Sequence, residues 1–234
     1  MKSKNINEIK NELDKWVKDK GELPYVNDSD VIRPYIPTTL DNFKLSPTNG
    51  IQQNKDEILQ FVNLLLGLSD NKIALEIGLG FYGSTHFLWR HIFDKVLTIE
   101  CDWGRIREFG RNIFDYYGEW ALKEKSYFIH SKSYEPKAVK SVRNILNGNK
   151  IDLLFIDAYH DYKSVLTDFL LYKDLVRSGG IIAFHDILYK QYNELKVEVP
   201  KFVEDLSEGK IDGRSYKVNK IVHSKLCGIG WIEI

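Results

Sequence analysis

The sequence predicts a doubly wound α/β domain: a mostly parallel, seven-stranded sheet finished by a C-terminal antiparallel hairpin. Three observations predict it. Short apolar runs alternate with helix-period segments from Asn54 onward, a glycine-rich turn follows the first run, and the last two strand-like runs are separated by only a short connection. At 234 residues the chain suits one large domain with a substantial core.

Taken in order, Ile6, Ile9, Leu13 and Trp16 are spaced three or four apart, as on one face of a short helix. Residues 21–53 are aperiodic and hold Pro24, Pro34, Pro37 and Pro47, so no regular element fits there. A loop of that length is a candidate lid over a site, or equally a surface wrap. The chain therefore divides into an N-terminal helix and lid or cap segment, 1–53, and a main domain, 54–234. The main domain opens on a helix with Ile58, Phe61, Val62, Leu65 and Leu66 on one face. Strand-like runs follow at Ile73–Ile77, Val96–Glu100, Tyr127–His130, Ile151–Asp157 and Ile181–His185. Helix-period segments lie near Thr85–Phe93, Ile106–Tyr117, Pro136–Leu146 and Val165–Val176. That alternation predicts right-handed crossovers with helices on both faces of a parallel sheet. Tyr216–Val222 and Gly228–Ile234 supply the terminal hairpin.

Lys plus Arg and Asp plus Glu each number 33, so no net field holds the chain to nucleic acid or an acidic membrane. Cys101 and Cys227 follow no disulfide or metal spacing, which fits a reducing compartment. The first residues lack the apolar run of a signal peptide, and no stretch approaches the ~18 apolar residues of a membrane span. A cytoplasmic location is the expectation, and self-association stays open.

Gly78, Gly80 and Gly83 form a G-x-G-x-x-G turn after the first strand. Glycines there let the backbone approach a ligand, and the helix beyond offers free N–H groups to an anion, either a pyrophosphate or an amino-acid carboxylate. Glu100, ending the second strand, is placed to accept hydrogen bonds from ribose hydroxyls, which both NAD and S-adenosylmethionine carry. The run Leu75-Glu76-Ile77-Gly78-Leu79-Gly80-Phe81-Tyr82-Gly83-Ser84-Thr85 resembles the first motif of small-molecule O-methyltransferases, in which an acid directly precedes the glycine turn. The resemblance implies the class I methyltransferase fold with S-adenosylmethionine as cofactor. It puts Glu76 in the acid's place, Ser84 and Thr85 against the methionine carboxylate, and Ser131, Lys132 and Ser133 beside the adenine. Cys101 and Trp103 are further adenine neighbours, although Trp103 alone reads equally well as core.

A second cluster gathers at the carboxyl ends of the fourth and fifth strands, where open α/β sheets bind ligands: Asp157, His160, His185 and Asp186. Singly, each has a structural use as a hydrogen-bond partner or cap, and Asp161 or Asp186 could cap a helix or turn. Together, ionisable groups crowded at one edge point to function. Asp157-Ala158-Tyr159-His160-Asp161-Tyr162, followed by Gly179-Gly180-Ile181-Ile182-Ala183-Phe184-His185-Asp186, resembles a bacterial O-methyltransferase family. That family includes sugar methyltransferases of macrolide biosynthesis and proteins named as cephalosporin hydroxylases. The resemblance spans roughly Thr48 to Ile234. It implies a divalent cation, Mg²⁺ or Mn²⁺, held by Asp157 and Asp186, with His160 as general base. His185 stands where the family has an acid, which makes it an imidazole ligand favouring transition metals or else leaves a weak metal site. The implied reaction is methyl transfer to a hydroxyl of a small molecule, sugar or glycan. The segments 24–53 and 109–120 are candidates to shape the acceptor pocket. An NAD(P)-linked oxidoreductase and a noncatalytic S-adenosylmethionine-binding protein are the alternatives.

Overall fold

The structure is a computed structural model that describes residues 7, 8, 11, 53–68, 71–80, 84–104, 106, 126–188, 191–192, 195–223 and 227–234. In chain order the elements are α1 (Lys55–Leu66), β1 (Ile73–Ile77), α2 (Ser84–Ile92), β2 (Lys95–Glu100), β3 (Ser126–His130), α3 (Pro136–Leu146) and β4 (Ile151–Ile156). They continue with α4 (Tyr162–Tyr172), a 3₁₀ turn (Lys173–Leu175), β5 (Val176–His185), β6 (Gln191–Tyr192), β7 (Leu195–Lys196), α5 (Val199–Ser207), β8 (Asn219–Ile221) and β9 (Ile229–Glu233).

Seven strands form one sheet in the order β3-β2-β1-β4-β5-β9-β8, and β6 pairs with β7 separately. The first five are parallel; β9 runs antiparallel to β5, and β8 antiparallel to β9. This is the predicted doubly wound sheet with its terminal hairpin. The last strand lies inside the hairpin, against β5. A doubly wound dinucleotide domain continues instead with a sixth parallel strand, so the antiparallel insertion disfavours the oxidoreductase alternative.

The central strands β1 and β4 are buried on both faces because helices cover both. Alternation along β1 sends Leu75 and Ile77 into a layer under α3, α4 and α5, with Phe169, Phe184 and Phe202. It sends Ala74 into the opposite layer under α1 and α2, where Ile58, Phe61, Val62 and Leu65 meet Trp89, Phe155 and Trp231. Leu66, predicted on the same helical face, only partly buries. The α1 helix starts cleanly because the Asn54 side chain accepts from the amides of Asp56 and Glu57.

Several boundaries moved. Gly179 and Gly180 sit inside β5 and do not precede it; a Cβ on Gly180 would lie 2.7 Å from Val176 Cγ1, so only glycine passes there. The fourth crossover helix begins at Tyr162, three residues before the expected start, since the Asp161 side chain caps it by accepting from Ser164 N. The α5 helix and the β6–β7 pair were not foreseen. The expected helix at Ile106–Tyr117, the lid reading of 21–52 and the 109–120 stretch lie outside the described residues apart from Ile106, as does the N-terminal helix apart from residues 7, 8 and 11. Among the described residues no helix is long and apolar enough to cross a membrane.

The hairpin is tied to α1 by one buried carboxylate. Glu57 accepts from His223 N at 2.8 Å and from Gly228 N at 2.9 Å, on either side of the connection between β8 and β9. Glu57→Ala should lower the unfolding free energy by about 1–3 kcal/mol, the cost of a buried amide left without an acceptor. Urea denaturation measures this, and an unchanged midpoint would show that the hairpin holds its own turn.

Candidate active site

The turn after β1 is shaped by its glycines. Gly78 has φ +98°, and a Cβ there would lie 2.1 Å from the carbonyl oxygen of Asp157, so any side chain would drive β1 and β4 apart. Gly80 also has positive φ, +65°. Gly83 is outside the described residues, and Ser84 is described only as the first residue of α2.

Glu76 and Thr85 are hydrogen-bonded to one another within the protein. Glu76 is on the face of β1 that packs under α2, fully buried, and accepts from Trp89 Nε1 at 3.2 Å and Thr98 Oγ1 at 2.8 Å. The Thr85 hydroxyl bonds to the same carboxylate. Strand alternation puts Glu76 on the same face of β1 as Ala74, the face that α1 and α2 cover. His86 extends the network: its Nδ1 is 2.7 Å from Thr98 Oγ1 and its Nε2 is 2.9 Å from Ser126 Oγ. Because Thr98 donates to Glu76, it accepts from His86 Nδ1, and Ser126 then donates to Nε2. Burial pushes the His86 pKa down to about 3, so the ring is neutral.

Glu100 is where a ribose acceptor is expected, at the carboxyl end of β2. It is 3 % exposed, and its oxygens accept from Leu79 N at 3.1 Å and Asp102 N at 2.8 Å, which aligns the carboxylate beside the glycine turn. Trp103 is 58 % exposed and lies 5.3 Å from the His130 ring, so the core reading of this tryptophan is wrong. Cys101 is exposed next to it; its carbonyl accepts from His130 Nε2, and its thiol meets the exposed Tyr159 hydroxyl. Beyond β3, Ser131 donates to Glu135 at 2.6 Å and Ser133 bonds to buried Asp168. Those hydroxyls are held by protein partners, whereas Lys132 is exposed.

The cluster expected at the ends of β4 and β5 assembles as the topology requires. Asp157 follows β4; its Oδ1 is 3.2 Å from His185 Nδ1, and its Oδ2 accepts from Gln53 Nε2 at 2.8 Å. Asp186 adopts φ +58°, a conformation Asp tolerates, at the end of β5. Its Oδ2 lies 3.0 Å from His160 Nε2 and 3.4 Å from His185 Nδ1. Burial disfavours a charged His185, but Asp186 and Asp157 outweigh it and raise its pKa well above the usual value. Burial likewise works against Asp186 ionising, and the His185 charge, with His160 behind it, reverses this and holds the carboxyl at about 2. The His160 loop is clamped by α5: Glu198 N donates to His160 O at 2.7 Å, and Glu198 Oε2 accepts from Tyr162 N at 3.1 Å.

The expected ligands Asp157, His185 and Asp186 stand together at this edge, with His185 Nδ1 within 3.4 Å of both carboxylates. Two groups bring one ligand atom each to within 4.8 Å of the others: Asp157, His160 and Asp186, and separately His185, Asp186 and Cys227. His185 Nδ1 faces the two carboxylates as their shared hydrogen-bond donor, which occupies the nitrogen nearest to both. Gln53, Glu198 and Cys227 were missed as site neighbours. Gln53 precedes a helix cap and Glu198 precedes an unforeseen helix, so neither carried a motif signal.

Residues 75–187 match the protein family described as a methyltransferase domain. An uncharacterized protein, R132, of Acanthamoeba polyphaga mimivirus is 40 % identical over 93 residues, 38 % of this chain; the chain spans 40 % of that relative's length. An O-methyltransferase of Bacillus cereus in complex with S-adenosylhomocysteine superposes with TM-score 0.56 at 19 % identity, over 97 % of this chain and 100 % of that one. An rRNA methylase of Streptococcus thermophilus gives 0.54 at 13 % identity over 78 % and 97 %. The N-methyltransferase NodS of Bradyrhizobium japonicum gives 0.53 at 11 % over 76 % and 86 %. One fold thus serves different methyl acceptors.

The pH dependence of stability tests the inward-facing acid. Burial raises the Glu76 pKa to about 8; hydrogen bonds from Thr85, Thr98 and Trp89 only partly oppose this, and the nearby Asp157 charge adds to it. Between its ordinary value of 4.5 and about 8, the native state keeps a proton that the unfolded chain releases. Stability contributed by Glu76 therefore falls as pH rises through that window. Urea midpoints across pH 4.5–8 should decline less steeply for Glu76→Gln than for wild type; parallel curves would mean that Glu76 ionises normally.

Proposed function

We propose that this chain, whose residues 75–187 match the methyltransferase-domain family and whose sheet has the class I strand order, transfers the methyl group of S-adenosylmethionine to a hydroxyl of a small molecule or sugar. The observation that carries the reading is the convergence of Asp157, His160 and Asp186 beside the Gly78 turn and Glu100. The residues suit the cofactor: the glycine turn leaves room for a ligand, and the Glu100 carboxylate is aligned beside that turn, where such an acid accepts from ribose hydroxyls. They also suit a divalent cation, for which Asp157 and Asp186 offer oxygens.

When bound, S-adenosylmethionine supplies an electrophilic methyl and a cation supplies charge stabilisation at the acceptor oxygen. The protein's part is to orient the hydroxyl in line with the C–S bond and receive its proton. His160 would take the proton that the acceptor hydroxyl gives up as its oxygen gains the methyl group. Asp186 orients the imidazole through Nε2 and stabilises its cation, while Glu198 fixes the loop that carries it. His185, held between two aspartates, offsets part of their charge where the family has an acid.

Balanced charge, 33 basic against 33 acidic residues, favours a small acceptor over a nucleic acid. His160→Ala should lower S-adenosylhomocysteine release with a hydroxylated acceptor by about 10²–10⁴-fold, leaving cofactor affinity unchanged. An unchanged rate removes His160 from the chemistry, and loss of Mn²⁺ binding in this variant assigns it to coordination. Tight S-adenosylmethionine binding with no transfer to any acceptor supports the noncatalytic alternative.

A further inference from the structure

Gln53 enters the site from just ahead of α1. Its side chain is 1 % exposed, and its Nε2 donates to Asp157 Oδ2 at 2.8 Å. An ionised carboxylate only accepts, so the nitrogen must face Asp157 and the amide oxygen must turn away. That oxygen, Oε1, is buried and has no hydrogen-bond partner among the described residues. A buried acceptor without a donor is costly, and persists chiefly where a ligand or water completes it.

The other Asp157 oxygen faces His185 Nδ1, so Asp157 is held from two sides by a neutral donor and a histidine. An amide fixes the carboxylate's plane without neutralising its charge. Outer donors of this kind orient carboxylate ligands and tune their affinity for a cation.

We propose that Gln53 is a positioning residue of the Asp157–His160–Asp186 centre: Nε2 sets the Asp157 carboxylate for a divalent cation, and Oε1 receives a hydrogen bond from a water or hydroxyl brought to the cation. The proposal rests on the methyltransferase reading only in assigning that cation a role in methyl transfer.

The test titrates the full chain with Mn²⁺ alone, followed by electron paramagnetic resonance, and separately with S-adenosylhomocysteine by calorimetry. Gln53→Met keeps the side-chain length and removes both polar atoms; Gln53→Asn keeps the amide but retracts it from Asp157. Each should bind Mn²⁺ about tenfold or more weakly than wild type, with S-adenosylhomocysteine affinity unchanged. The melting temperature of Gln53→Met should stay level or rise, since an unpaired buried oxygen is gone. Equal Mn²⁺ affinity in wild type and whichever variant folds, or no Mn²⁺ binding by wild type, overturns the proposal. Failure of wild type to bind S-adenosylhomocysteine overturns the methyltransferase reading instead.

Discussion

The structure depends on the place where β1 and β4 end against each other. The Gly78 amide donates to the Ile99 carbonyl at 3.0 Å, the Asp157 amide donates to the Ile77 carbonyl at 2.9 Å, and a Cβ on Gly78 would lie 2.1 Å from the Asp157 carbonyl. Three strand ends close there with no room for a side chain. The glycine turn and Asp157 consequently belong to one rigid junction. Backbone packing alone therefore sets the Asp157 carboxylate beside the glycine turn.

Around that junction, burial sorts the ionisable groups. Glu76, enclosed by apolar core, is most stable carrying its proton, with a pKa near 8. His86 takes the opposite route to neutrality and is deprotonated. His185 and Asp186 remain charged, because each desolvated group has an opposite charge within 3.4 Å. Burial thus keeps Glu76 and His86 neutral beneath the sheet end, while His185 and Asp186 hold their charges against each other.

The sheet was legible because buried parallel strands read as apolar runs whatever covers them. Ile73–Ile77 and Pro136–Leu146 fall where their sequence patterns put them. The cluster of Asp157, His160, His185 and Asp186 was legible because strand ends in such a sheet converge at one edge. Side-chain direction was less so: Glu76 and Thr85 belong to a familiar motif, but their orientation depends on which face α2 covers. Gln53 and Glu198 gave no local signal, since their partners lie 104 residues away at Asp157 and 36 away at Tyr162. Long-range hydrogen bonds leave no periodicity in a sequence.

Calorimetric titration of S-adenosylhomocysteine into the wild-type chain, with NADH as the parallel ligand, tests the central claim most directly. Saturable one-to-one binding of S-adenosylhomocysteine, abolished by Glu100→Ala and absent with NADH, is the predicted result. Binding of the dinucleotide with none of S-adenosylhomocysteine would contradict it.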